Sequence, residues 1–249
     1  MTAADIASSA VTQFAVLDAL LGGVYSSGIP VSSLAALGDT GIGCCEGLGG
    51  EVVLIDGVPF ECTPDGPPRR MSEEETLPFV DVCTLGSEPS TTVGEVDFAG
   101  LDALVAERLA SRNFFHAVRL DGVMTQVRTR VTRRELPPFR PLAEVAAEQI
   151  ETETTDRAGS LVGFWMPAIY QGITVAGLHL HFLSDDREVG GHVLDVRVRR
   201  GRLRVTAYSR LQLQLPEDEE FRRTELTHDE DHRIVAVESR PAMFSDGES

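Results

Sequence analysis

The spacing of apolar residues along the chain predicts a strand-rich α+β protein. An amphipathic pattern over 98–109 predicts a helix, and shorter helices are expected at 15–21, 31–38 and 142–149. Elsewhere, short apolar runs alternate with turn residues, which is typical of strands joined by hairpins. From residue 159 onward, strands and turns dominate the pattern. The expected framework is therefore built from sheets with few helices.

Glycine positions predict where the strands turn. Asp56-Gly57 is a pair that accepts positive φ angles, so a hairpin is expected over 50–60. A second hairpin is expected over 115–132, and another turn at Arg200-Gly201-Arg202. A last strand is predicted at 233–238.

A proline-rich spacer divides the pattern into two parts. The run Pro137-Pro138-Phe139-Arg140-Pro141 is rigid, and a helix pattern follows it. The sequence therefore predicts an N-terminal mixed β-sheet domain with helices over 1–140. A C-terminal β-rich domain is predicted over 141–249. A chain of 249 residues, 42% of them hydrophobic, is long enough for two packed domains.

Composition excludes several classes of function. The net charge of -17 argues against nucleic-acid binding, since phosphate recognition needs a basic surface. All 22 basic residues are arginine, and without lysine a side-chain Schiff base is excluded. The N-terminal region lacks a basic signal-peptide start, and no segment approaches the roughly 20 apolar residues of a membrane span. A cytoplasmic protein without membrane partners is expected, and four cysteines without C-x-x-C spacing suit a reducing compartment.

Three histidines carry the clearest chemical signal. Side chains alternate along a strand, so His179 and His181 point to the same face. A polar loop and Gly190-Gly191 follow, after which an antiparallel strand brings His192 beside the pair. Three neutral imidazoles with an open fourth position are typical of a catalytic zinc or another divalent metal. Ordinary hydrogen-bonded histidines on a sheet face are the alternative.

Several segments resemble the alpha-acetolactate decarboxylase family in order and spacing. The main ones are GSLVGFWMP (159–167), GLHLHFLSDDR (177–187) and GGHVLD (190–195). Further similarity covers LDALLGGVY (17–25), GDTGIG (38–43), NFFHAVRLDG (113–122) and the Thr-Arg pair at 129–130. The resemblance spans nearly the whole chain. It departs after the Gly-x-Gly turn, where Cys44 stands in place of the small hydroxyl residue common in the family.

The resemblance implies a metal-dependent enzyme, usually with Zn²⁺, that converts 2-acetolactate to (R)-acetoin and CO2. His179, His181 and His192 would bind the metal, which would stabilise the enediolate left when CO2 departs. Arg130 would hold the carboxylate or face the enediolate, because guanidinium stays charged. Glu51 and Glu238 are the candidate proton donors. The resemblance also implies a homodimer, with two packed domains, each around a β-sheet, and the site in the cleft between them.

Two other classes of function remain open at the level of sequence. A cupin-like barrel also uses an H-x-H pair and a later histidine, to hold iron or manganese for dioxygenase or isomerase chemistry. Its usual glutamate follows H-x-H closely, whereas here Glu188 lies seven residues beyond His181. A non-catalytic metal-binding module is the second alternative.

Overall fold

The computed structural model describes residues 10–26 and 28–226, and strands dominate this part of the chain. The first eight strands are β1 (Val11–Phe14), β2 (Ile29–Pro30), β3 (Thr40–Cys44), β4 (Glu51–Ile55), β5 (Val58–Cys62), β6 (Arg69–Arg70), β7 (Thr76–Leu77) and β8 (Phe79–Cys83). The later strands are β9 (Thr91–Val93), β10 (Val96–Asp97), β11 (Phe115–Val131), β12 (Ile150–Met166), β13 (Gly177–Ser184), β14 (Gly190–Tyr208) and β15 (Leu211–Gln214). The α-helices of the described ranges are α1 (Leu17–Leu21), α2 (Phe98–Ala106), α3 (Leu142–Ala147) and α4 (Glu219–Arg223).

The strands form two main sheets. Sheet 1 has seven strands in the order β15-β1-β8-β3-β4-β5-β6. Sheet 2 has six, in the order β10-β14-β11-β12-β13, with β9 also paired to β14. An additional pairing of β13 with β14 closes the strands β11, β12, β13 and β14 into a ring. The expectation of a strand-rich α+β chain is confirmed.

One buried cluster joins the two sheets. Ile42 and Val53 of sheet 1 pack with Phe115, Val162 and Phe164 of sheet 2. Burial of each such side chain contributes about 1.5–3 kcal/mol relative to exposure. The cluster thereby fixes one face of sheet 1 against sheet 2. Alternation along the strands places Cys44, at the end of β3, and Glu51, at the start of β4, on this same face.

Most predicted helices and the first hairpin are confirmed. Asp56 and Gly57 have φ angles of 51° and 77° and join β4 to β5, as their positive-φ tolerance indicated. The expected helix at 31–38 is instead a 3₁₀ helix, Val31–Ala36. Within the described ranges, no helix has the length and apolar character needed to cross a bilayer. All four cysteines are buried, and no disulfide joins them in the described part of the chain.

The second hairpin and the turn at Arg200-Gly201-Arg202 were wrong. β11 runs unbroken through Gly122, and β14 runs unbroken through Gly201. The two glycines lie opposite each other, and a Cβ on Gly122 would lie 2.3 Å from the carbonyl oxygen of Arg200. Glycine is therefore needed here for the close approach of two long strands, and not for a turn.

The predicted boundary at residue 140 stays a prediction. Neither sheet is confined to one side of residue 140. β11 precedes this residue and lies inside sheet 2, whereas β15 follows it and pairs with β1 in sheet 1. The last predicted strand, at 233–238, lies outside the described residues.

Candidate metal centre

Sheet 2 gathers the three histidines into one cluster. His179 and His181 lie two residues apart on β13, and His192 lies near the start of β14. Their ring centroids are 4.8 to 5.5 Å apart. One ring nitrogen from each residue lies within 4.8 Å of the other two. The prediction that alternation and a hairpin bring these rings together is confirmed.

Strand register places an arginine beside the cluster. His192 lies opposite His181 on β13 and opposite Arg130 on β11. Arg130 is only 3% exposed. Three neighbouring strands thus place one guanidinium and two imidazoles in a row across the sheet. The guanidinium is a permanent positive charge beside the imidazoles.

Gly191 permits this close arrangement. Its φ angle is 142°, a conformation that L side chains rarely adopt, and an added Cβ would lie 2.7 Å from the Arg130 carbonyl oxygen. Gly191→Ala is expected to destabilise the protein by about 1–3 kcal/mol and to weaken metal binding, because β14 must shift where it presents His192. Denaturant unfolding and a metal titration measure both effects. Gly94→Ala is the matched control, since nothing lies within 4 Å of its added Cβ; equal behaviour of the two variants contradicts this expectation.

The hydrogen bonds of His181 fix its tautomer. Its Nδ1 lies 2.9 Å from the backbone carbonyl oxygen of Val52, which can only accept, so Nδ1 carries the proton and donates. Nε2 is then the nitrogen left for a metal ion. A carbonyl partner that orients an imidazole in this way is typical of metal-binding histidines.

Burial keeps the other two imidazoles neutral. It lowers the pKa of His179 to about 3, with a further contribution from the charge of Arg130. Burial, then Arg130 and the neighbouring imidazoles, hold the pKa of His192 well below its ordinary range. The neutral form is the one that binds a metal ion. A set of three imidazoles, of which His181 and His192 are buried and His179 is half-buried, fits a divalent cation such as zinc.

Glu51 reaches the cluster from sheet 1. It begins β4 and is buried, with one carboxylate oxygen 3.5 Å from Nε2 of His181. The other oxygen lies 3.7 Å from Nη1 of Arg130. This buried pair links the two sheets, and removing either partner would leave an uncompensated charge.

The cluster, Arg130 and Glu51 line a single cavity between the sheets and two helices. Its remaining wall is largely apolar, with Leu17, Leu20, Ile42, Phe79, Leu142 and Val175. These residues were not predicted as site residues, because an apolar residue in a helix or strand pattern carries no sign of which cavity it lines. Cys44 also lines the cavity, opposite Glu51 in the strand register. The structure thus places a thiol where the resemblance led us to expect a hydroxyl.

Two predicted or conspicuous groups lie elsewhere. Glu238, the second candidate proton donor, falls outside the described residues. His116 is buried, its Nε2 accepts from the backbone N–H of Ala110, and its ring meets Trp165 edge-on at 5.9 Å. That histidine belongs to the core.

Comparison with known proteins gives a consistent picture. The sequence model of the alpha-acetolactate decarboxylase family matches residues 11–228. The alpha-acetolactate decarboxylase of Methanosarcina mazei is 36% identical, covering 93% of this chain and 81% of the relative. That of Raoultella terrigena is 32% identical, covering 93% and 90%. The crystal structure of alpha-acetolactate decarboxylase from Bacillus subtilis superposes with a TM-score of 0.90 at 28% identity, covering 92% of this chain and 99% of that one.

Proposed function

Because the chain belongs to the alpha-acetolactate decarboxylase family, we propose that it converts 2-acetolactate to (R)-acetoin and CO2 with a bound divalent metal. One observation carries the proposal for this chain. Three imidazoles line one cavity together with a guanidinium and a carboxylate. Those groups match the needs of a reaction that must bind an anion, stabilise negative charge and return a proton.

The chemistry explains why each need arises. Losing CO2 from a 2-hydroxy-3-oxo acid breaks a C–C bond, and its electron pair moves into the neighbouring ketone to give an enediolate. His179, His181 and His192 would hold the divalent cation, with Zn²⁺ as the proposed metal, and the cation would supply Lewis-acid stabilisation of this negative charge. The remaining steps depend on the protein side chains.

Arg130 binds the substrate carboxylate. Its guanidinium is permanently charged and nearly fully buried, so its hydrogen bonds to an anion act where water does not compete. Glu51 restrains that guanidinium across the cavity. The rest of the cavity wall is apolar. It keeps water away from the reacting groups and contacts the methyl groups of the substrate.

We propose that Glu51 delivers the proton to the enediolate: after CO2 departs, its carboxylate takes up a proton from solvent and passes it to the carbon that carried the carboxyl group. Glu51→Gln keeps the shape of the side chain but cannot exchange a proton, so kcat is expected to fall by about 10²–10⁴-fold while metal content is unchanged. The enantiomeric purity of acetoin is expected to fall as well, because solvent would then protonate either face.

Rate assays, metal analysis and chiral chromatography measure these effects. Glu61→Gln is the matched control: Glu61 precedes Cys62, the cross-strand partner of Glu51, and therefore points to the opposite face of sheet 1. Wild-type kcat in Glu51→Gln would remove Glu51 from the proton-transfer step.

Anaerobic turnover tests the proposed function directly. The metal-loaded protein is incubated with racemic 2-acetolactate, with and without oxygen, and acetoin and CO2 are quantified. We expect the same amounts of acetoin and CO2 with and without oxygen. Dependence on oxygen would favour a cupin-like dioxygenase, and a complete lack of turnover would favour a metal-binding module.

A further inference from the structure

The wall of sheet 2 is open beside the histidines. β13 and β14 pair only at three positions, which end at His181 opposite His192. Beyond that point each strand pairs with its other neighbour, Leu180 with Gly163 and Val193 with Thr129. In the described part of the chain, no strand pairing bridges the opening between them.

A second cavity, of about 350 Å³, occupies this opening. His179 and His192 line both this cavity and the buried one that holds Arg130 and Glu51. Phe98 of α2, Trp165 and the exposed residues Asp102 and Arg112 also line it. A volume of this size is in the range that accommodates small ligands. The cavity therefore leads from the protein surface to the imidazole cluster.

Charge along this cavity differs from that of the whole molecule. The chain carries a net charge of -17, which repels an anion at long range. Arg112 is exposed at the cavity, and its side chain makes no ion pair or hydrogen bond within the described residues. Asp102, also exposed there, is the opposing charge. Arg112 thus offers an uncommitted guanidinium on a path that ends near the buried Arg130.

We propose that the substrate anion reaches the histidines through this opening, and that Arg112 receives its carboxylate at the outer end. The identity of the anion rests on the proposed function. Arg112 acts before the chemical step. It therefore determines how often an anion enters the cavity, and the reaction rate of the bound substrate does not depend on it. Asp102 opposes it, and the two side chains set the local potential at the entrance.

Opposite charge changes test the route. At an ionic strength of about 10 mM, Arg112→Gln is expected to lower kcat/KM about five-fold with kcat unchanged, while Asp102→Asn raises it about two-fold. Both differences are expected to vanish at about 0.5 M salt, where charges are screened within a few ångströms. Arg202→Gln is the matched control, because Arg202 lies ten residues along β14 from His192, roughly 30 Å away.

A binding measurement separates this inference from the proposed function. The anion 2-hydroxy-2-methylpropanoate has the carboxylate and hydroxyl but no ketone, so it binds without decarboxylation. Stopped-flow mixing with metal-loaded protein is expected to give a several-fold lower association rate constant for Arg112→Gln than for Arg202→Gln at low salt. This outcome supports the route even if acetolactate is not turned over. Equal association rate constants and equal kcat/KM in the two variants overturn it, whether or not the wild type is a decarboxylase.

Discussion

Replacing His192 by alanine is expected to abolish both metal binding and acetoin formation. His192 lies between His181 on one neighbouring strand and Arg130 on the other. Two imidazoles on β13 alone leave a divalent cation with too few protein ligands for stable binding. Without the cation, the negative charge of the enediolate loses its main stabilisation, and we expect kcat/KM to fall by at least about 10³-fold.

Metal analysis beside a rate assay measures this effect. Arg197→Ala is the matched control, because Arg197 is exposed on the same strand and its loss should change neither quantity. Treating the wild type with a chelator is expected to reproduce the His192→Ala phenotype, and added Zn²⁺ should restore activity only to the wild type. Full metal occupancy in His192→Ala would refute the three-histidine site.

The histidine cluster could be predicted because its geometry is local. Alternation places His179 and His181 on one face, and a short loop returns the chain so that His192 falls opposite His181. Each step uses residues that are near in sequence. The hairpin brings the third imidazole beside the other two, as the motif spacing indicated.

Glycine turns were less predictable, because one residue type serves two physical needs. At Gly57 the chain needs a positive φ angle, and the hairpin prediction was correct. At Gly122 the chain needs room for the backbone of Arg200, which belongs to a strand far away in sequence. Nothing near Gly122 distinguishes the second case from the first, so the hairpin was wrong.

The contribution of sheet 1 to the site depends on packing that the sequence pattern does not encode. Glu51 meets His181 and Arg130 only because the buried cluster holds the two sheets face to face. The resemblance suggested Glu51, whereas periodicity alone would have placed it as a solvated charge at a strand end. Its burial makes it dependent on Arg130, and this dependence leads to the second large expected effect.

Arg130→Gln is expected to keep the metal and lose turnover. The substitution leaves the three imidazoles in place, so metal content should stay at the wild-type level. The substrate carboxylate loses its buried cationic partner, and we expect kcat/KM to fall by about 10²–10⁴-fold. Arg128→Gln is the matched control, since Arg128 lies two residues away on β11 in a half-exposed ion pair with Glu151, where such pairs contribute about 0–1 kcal/mol.

Stability separates the two roles of Arg130. The single variant leaves the Glu51 carboxylate buried without its cation, so the free energy of unfolding of the metal-free protein should fall by about 3–5 kcal/mol. The double variant Arg130→Gln, Glu51→Gln removes both charges and is expected to recover most of that stability without recovering turnover. Denaturant unfolding and rate assays on the two variants decide the matter. If the double variant regained activity along with stability, Arg130 would be a structural partner of Glu51, and the carboxylate of the substrate would bind elsewhere.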